Sequence, residues 1–315
     1  MNVLLTGATG YIGSHCALKF APSGHTLFGL DFFKPENTAP FQQFYVGDHG
    51  NMTFIHSILQ GERIECIIHA SGSSHVMDTV EDPIKYYGND LMGTIFLLRA
   101  ALENNVKKII FLSSAQVYGN VKQYAANENT VPNPINPIGK IKLAIEQLIE
   151  SLTFSQDLHA IILRIANVMG MDPNAATFPQ NSDLLSLILF EDFIDIFGDN
   201  CTTADHTPER DFIHISDVAS AIISALPKLN YGPKYSIYNI GSGRPHSVKN
   251  IIETAENIAH KKLDIKPKQR RTGEIERLVI NPSLARRELG WHLQYPQLEY
   301  MIESSVNWLR NHGEL

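Results

Sequence analysis

Short apolar runs alternate with segments of helical periodicity through the first half of the chain. Residues 2–6, 26–31, 65–70, 108–113 and 159–165 read as buried strands, with helical patterns between them. Continuous apolar strands separated by helices predict an α/β chain with a doubly wound parallel sheet, since only a sheet covered on both faces buries both sides of each strand. Over residues 83–105, Ile84, Tyr87, Leu91, Ile95, Leu98 and Leu102 recur at helical spacing. They predict one amphipathic helix about 30 Å long. After Asn167 the pattern loosens and turn residues stay dense as far as Asp211, which marks a second, smaller lobe. Further helices are predicted over 216–226, 247–260, 283–289 and 297–311.

Composition narrows the function classes. The 315 residues are 43% hydrophobic, ample for a core without covalent staples. Cys16, Cys66 and Cys201 lie far apart with no CxxC pair, so neither a zinc knuckle nor a disulfide framework is indicated. That usage fits a reducing compartment, and the opening MNVLLTGATG leaves no room for a secretory signal, so the expected location is the cytoplasm. No apolar stretch reaches the roughly 18 residues of a membrane span. A net charge of -7 without a basic run argues against nucleic acid as a partner. The thirteen histidines include no HxxxH or HExxH spacing, and no metal is expected.

The chemistry begins at Gly7-Ala8-Thr9-Gly10-Tyr11-Ile12-Gly13, which follows the first strand and opens the first helix. A turn without Cβ atoms at Gly7 and Gly10 can approach a pyrophosphate, whose charge the helix N-terminus favours, and Gly13 lets helix and strand pack closely. Gly7, Gly10, Tyr11, Ile12 and Gly13 are the candidate cofactor turn. Asp31, at the end of the second strand, can accept both hydroxyls of an adenosine ribose and would repel a 2′-phosphate, so NAD is favoured over NADP. Asp48 follows the next short strand, where it either contacts adenine or caps a turn.

With TGATGYIGSH at the start, IHASGSSHV at the fourth strand, FLSSAQVYG at the fifth and RDFIHISDVA later, the chain resembles the extended short-chain dehydrogenase/reductases. The GxxGxxG spacing agrees. Within them it is similar to the NAD-dependent epimerase/dehydratase family that acts on nucleotide sugars, and the likeness covers nearly the whole length. The resemblance implies a Rossmann domain over 1–168, a smaller C-terminal substrate lobe over 169–315 with about 211–240 returning to the first domain, and a homodimer packed through the helices at 83–105 and 137–153. The implied activity is NAD-dependent epimerisation of a nucleotide sugar, with a UDP-hexose as the implied substrate, by hydride removal and return at one carbon. A one-way oxidase or ketoreductase, and a protein that binds both ligands without catalysis, are the alternatives.

The resemblance also assigns residues. Ser114 takes the place of the Ser or Thr that holds the sugar hydroxyl, although a serine there also caps turns. Lys142 takes the place of the lysine that follows a catalytic tyrosine by one helical turn and holds the nicotinamide ribose hydroxyls of the cofactor. The tyrosine position reads Ile138. Isoleucine cannot take a proton, and Ile138, Ile141, Ile145, Leu148 and Leu152 form one apolar stripe, so the departure is compatible with a slow enzyme, a substituted base or no chemistry. Lys142 itself and His75, in the Ser-Ser-His-Val run, are the candidate substitutes. Dehydratases carry an Asp-Glu pair directly after the Ser or Thr; Ala115-Gln116 here argues against elimination of water. On the substrate side Asn167, Arg210, Arg271 and Glu274 match a clamp around a diphosphate and a uridine ribose, where guanidinium groups pair with phosphate and a carboxylate with hydroxyls.

Overall fold

The structure, a computed structural model, describes every residue except 36, 73–75, 179–183 and 199–200. The chain opens with β1 (Asn2–Thr6), α1 (Tyr11–Phe20), β2 (Thr26–Asp31), β3 (Gln43–Val46), α2 (Met52–Gly61) and β4 (Cys66–His69). A run of helix follows: α3 (Val76–Glu81), α4 (Pro83–Tyr86), a π-helical segment (Tyr87–Met92) and α5 (Gly93–Glu103). Next come β5 (Lys108–Ser114), a 3₁₀ turn (Ala115–Tyr118), α6 (Pro137–Ser155), β6 (His159–Ile165) and β7 (Asn167–Met169). The second half holds α7 (Leu184–Phe190), β8 (Phe193–Phe197), β9 (Glu209–His214), α8 (Ile215–Ala225), α9 (Lys228–Tyr231) and β10 (Tyr235–Ile240). It ends with β11 (Pro245–Ser247), α10 (Val248–Ala259), β12 (Asp264–Lys268), β13 (Arg277–Leu278), α11 (Ser283–Leu289) and α12 (Leu298–Asn311).

Seven strands form one all-parallel sheet in the order β10-β6-β5-β4-β1-β2-β3. The alternation of side chains shows why: Val3 and Leu5, Ile110 and Leu112, and Ile161 and Leu163 enter one core with Phe20, Ile222 and Trp291. Leu4, Ile109, Phe111 and Ile162 enter a second core with Ile55, Leu97 and Ile145. Each such side chain contributes about 1.5 to 3 kcal/mol on burial, so these strands must be covered on both faces. The order reverses beside β1, whose neighbours are β2 and β4, and ligands of open α/β sheets bind at the carboxyl ends of strands at such a point.

Two small sheets stand beside the large one. β9 pairs with β11, β13 and β7, and β8 pairs with β12. Their core, with Met171, Ile194, Ile196, Ile251, Ile302 and Trp308, is separate from the first two. No helix among the described residues is long and apolar enough to cross a membrane.

One expectation needs correction. The helix predicted over 83–105 is not one α-helix, because a π-helical segment separates α4 from α5. Contacts further on explain the widened turn. Thr94 receives the Nε2 of His69 at 2.9 Å, while a Cβ at Gly93 would lie 2.8 Å from the Nε2 of His49. Both histidines must meet the same turn of α5, and an extra residue before it sets that rotation.

Candidate active site

The glycine turn is built by close approach. Gly7 has φ +70°, and a Cβ on it would come within 2.7 Å of the Ala70 carbonyl carbon and the Ser71 nitrogen. A Cβ on Gly13 would lie 2.0 Å from the Gly7 oxygen. The turn therefore closes against the end of β4, with the start of α1 directly behind it. Asp31 ties it down: Oδ2 accepts from Thr9 N at 2.9 Å and Thr9 Oγ1 at 2.7 Å, and Oδ1 accepts from Phe32 N at 2.7 Å. A carboxylate offers about four acceptor positions, so one remains for a ligand hydroxyl. Tyr11 donates through its hydroxyl to the Gly170 carbonyl, joining the turn to the second lobe; its neighbour Ile12 packs on the first core. Asp48 accepts from Gly50 N at 2.7 Å and stays half-exposed, a turn cap in this structure. The turn and the carboxylate fit a dinucleotide.

The amino end of α6 reaches the same edge of the sheet. Asn136 caps it, accepting from Gly139 N at 2.9 Å, and its amide donates to Gln116 Oε1 at 2.8 Å. Gly139 has no room for a side chain, since a Cβ would lie 2.5 Å from the Gln116 carbonyl oxygen. The helix thus seats on the 3₁₀ turn that Ser114 caps by accepting from Gln116 N at 3.2 Å. Ile138 is buried there but stands apart from the core that takes Ile141, Ile145 and Ile149. The apolar stripe therefore begins at Ile141. Lys142 is buried as well: its Nζ donates to the Leu112 carbonyl at 2.9 Å and lies 4.8 Å from the Phe111 ring centre. Burial lowers its pKa, against the pull of Asp90 and Glu146. His75, the other candidate base, lies outside the described residues.

A buried network that the sequence analysis did not anticipate fixes α6 to the sheet. Arg164 meets Glu146 through Nη2 at 2.6 Å and Nε at 3.1 Å, and its Nη1 donates to the Tyr118 hydroxyl at 2.9 Å. Ser113 donates to the same carboxylate, and Tyr118 donates to Asn239 Oδ1 at 2.8 Å. Ile138, Lys142 and Glu146 are spaced by four residues, so one helix face carries the family's tyrosine position, the lysine and the anchor. The available signals were a glutamate on the buried face of α6 and an arginine inside the apolar run HAIILRI.

A cavity of ≈ 140 Å³ opens beside this helix end, lined by Gln116, Asn136, Asn167, Arg210, Glu274 and Leu278 among others. Asn167 begins β7, opposite Phe212 of β9. Arg210 and Glu274 come together directly: Nη2 lies 2.6 Å from Oε1, and Arg210 Nη1 donates to the Glu209 carbonyl at 3.0 Å. Burial lowers the pKa of Arg210 and Glu274 opposes the shift. Next to Arg210, Asp211 points into the protein, accepting from Ser242 N at 2.9 Å and Gly243 N at 3.0 Å; burial pushes it up to about 6. Arg271 is not on the cavity wall. Its guanidinium carbon lies 3.2 Å from the centre of the Phe197 ring.

The sequence matches the NAD dependent epimerase/dehydratase family over residues 3–241. The chain belongs to that family. It is 33% identical to the UDP-glucose 4-epimerase of Halalkalibacterium halodurans, an alignment covering 99% of this chain and 96% of the relative. With the enzyme of Lacticaseibacillus casei the identity is 32%, covering 100% of this chain and 98% of the relative. A crystal structure of the UDP-glucose 4-epimerase from Bifidobacterium longum in complex with NAD+ and UDP superposes with a TM-score of 0.90 at 28% identity, covering 100% and 99% of the two chains.

Proposed function

We propose that the chain is an NAD-dependent nucleotide-sugar epimerase, as its full-length relatives are, and that its sugar nucleotide is a UDP-hexose. The observation that carries the reading is the convergence of two features on one carboxyl edge: a glycine turn closed against β4, and a polar cavity at the start of α6. When bound, NAD supplies reversible oxidation of a sugar alcohol. Gly7, Gly10, Tyr11, Ile12 and Gly13 hold its pyrophosphate, Asp31 its adenosine ribose and Asp48 the adenine side. Ser114 holds the reacting hydroxyl oxygen. Asn167 and Arg210 receive the diphosphate, which opens the Arg210–Glu274 pair and frees Glu274 for ribose hydroxyls; Arg271 leaves Phe197 to complete the clamp.

Proton removal falls to Lys142. Burial lowers its pKa, the direction a lysine base requires. A lysine whose Nζ is also tied to a backbone carbonyl is a slower base than a free phenolate, so turnover is expected to be low. Exposed Ile84, Met92 and Phe154 stand on the helical run from Pro83 and on α6, the elements a homodimer would pack.

Incubation with NAD and UDP-glucose should form UDP-galactose, read by chromatography, with no net reduction of NAD. Stoichiometric reduction would mean one-way oxidation. Binding of both ligands without conversion would leave the non-catalytic reading. Calorimetry should give clearly tighter binding of NAD than of NADP; equal affinity would remove the role given to Asp31.

A further inference from the structure

We propose that the side-chain amide of Gln116 is a fixed donor that holds a sugar oxygen, at a ring position other than the one Ser114 holds, and so discriminates against sugars that carry hydrogen in place of that hydroxyl. The proposal rests on the nucleotide-sugar reading above. It starts from a backbone group. The N–H of Gly139, in the first turn of α6, can only donate, and Asn136 Oδ1 accepts from it at 2.9 Å. The other end of the Asn136 amide is therefore Nδ2, a donor, and it gives its hydrogen bond to Gln116 at 2.8 Å. Gln116 must meet it with Oε1. The opposite edge of Gln116 is then Nε2, whose two hydrogens have no acceptor among the described residues. Two amides that could each be turned end for end are thus set by one main-chain N–H.

Gln116 lines the cavity and Ser114 does not, although Ser114 caps the turn that carries Gln116. A sugar whose reacting oxygen lies at Ser114 therefore presents a different oxygen to Gln116. The other polar side chains of the cavity are committed elsewhere. Arg210 and Glu274 pair with each other and are assigned to diphosphate and ribose, Asn167 is assigned to diphosphate, and Asn136 is spent on the helix cap and on Gln116. Apolar Ile275 and Leu278 complete the wall. Nε2 is thus the side-chain donor left for the sugar. Closing a ring over it without an acceptor would strand a polar group away from water, which is unfavourable. That cost turns a contact into a selection, because a site that hydrogen-bonds a substrate oxygen discriminates against the analogue lacking it.

A thermodynamic cycle on the full chain loaded with NAD tests this. Calorimetry measures UDP, UDP-glucose and the UDP sugars deoxygenated at C2, C3 or C6, in the parent and in Gln116→Ala. In the parent at least one deoxy sugar should bind about 3- to 10-fold more weakly than UDP-glucose, the range of one net hydrogen bond. In Gln116→Ala UDP-glucose should weaken by a similar factor, and the penalty at one ring position should shrink to within about twofold while the others stay as they were, as a direct pair requires. Affinities for UDP and NAD should not move, which separates loss of a sugar contact from damage to the turn or to α6. Gln116→Met, similar in length and without a donor, answers the same question should alanine lower NAD affinity. A parent indifferent to all three deoxygenations, penalties unchanged in both variants, or a loss on UDP as large as that on UDP-glucose would each overturn the proposal. If the parent refuses UDP but takes dTDP-glucose, the uridine assignment fails and the cycle on dTDP sugars decides the role of Gln116. A parent that binds no nucleotide sugar removes both readings.

Discussion

At the β1 end of the carboxyl edge, recognition is made of backbone. Gly7 and Gly13 approach neighbouring main chain so closely that a Cβ at either position would overlap it, and the Asp31 carboxylate fastens the turn. At the β5 end the proposed machinery is made of side chains: Ser114, Lys142 and position 138, seated by Asn136, Gly139 and the Glu146–Arg164 pair. The first kind of site cannot lose a part without moving the chain. In the second, one group could change while cap, helix seat and anchor stay in place, which is the reading proposed for Ile138.

The largest test of that difference is Ile138→Tyr. A phenol one turn before Lys142 would take over proton removal, with Lys142 then the protonated neighbour that favours the phenolate, and should raise epimerisation roughly 10²- to 10⁴-fold, the contribution of a positioned base. NAD affinity should not change, because the backbone-built half is untouched. Accommodating the larger ring should cost about 1 to 3 kcal/mol, so thermal unfolding must accompany the assay. A folded variant that binds both ligands and gains no rate would mean that the missing phenol is not what limits turnover.

Glu146→Ala attacks the support rather than the chemistry. It leaves Arg164 buried without its carboxylate, and breaking such a pair costs about 3 to 5 kcal/mol, measurable by urea denaturation. Replacing both Glu146 and Arg164 by apolar residues of similar volume should recover much of that loss. If Glu146→Ala is nearly neutral, the network does not hold α6.

The smallest effect belongs to the junction with the second lobe. His214 is buried, its Nδ1 accepts from Ser216 N at 3.1 Å, and its Nε2 meets Ser304 Oγ at 3.1 Å; burial brings its pKa down to about 4. A base depressed on folding adds stability above its unfolded pKa near 6.5, and that stability is lost as pH falls toward 4. The full span, from 6.5 to about 4, is about 3.5 kcal/mol at about 1.4 per pH unit. His214→Asn, which keeps a capping side chain, should flatten the pH 6.5 to 4 limb of a stability profile. An unchanged limb would assign the acid sensitivity elsewhere.

The same contrast governs what could be read from the letters alone. Strands such as 108–113 and 159–165 announce themselves because burial on both faces demands continuous apolar residues, and the glycine turn because close approach permits nothing else. The π-helical segment hides, since one extra residue leaves apolar spacing nearly intact while it re-aims Gly93 and Thr94. Glu146 and Arg164 are 18 residues apart and make sense only as a pair. Arg210 and Glu274 were recognisable as charged candidates, but their mutual ion pair depends on β9 lying beside the 271–278 segment.

The place of β10 in the large sheet sets a timetable for the newborn chain. Residues 159–165 of β6 emerge from the ribosome well before Tyr235–Ile240, the strand that pairs with them on that side. At roughly 5 to 20 residues per second, the interval lasts on the order of ten seconds. For that time β6 offers bare main-chain donors and acceptors along an apolar strand, and a neighbouring nascent chain can pair there first. The expected consequence is aggregation on crowded polysomes, and slowing translation between codons 165 and 235 should lower the soluble yield.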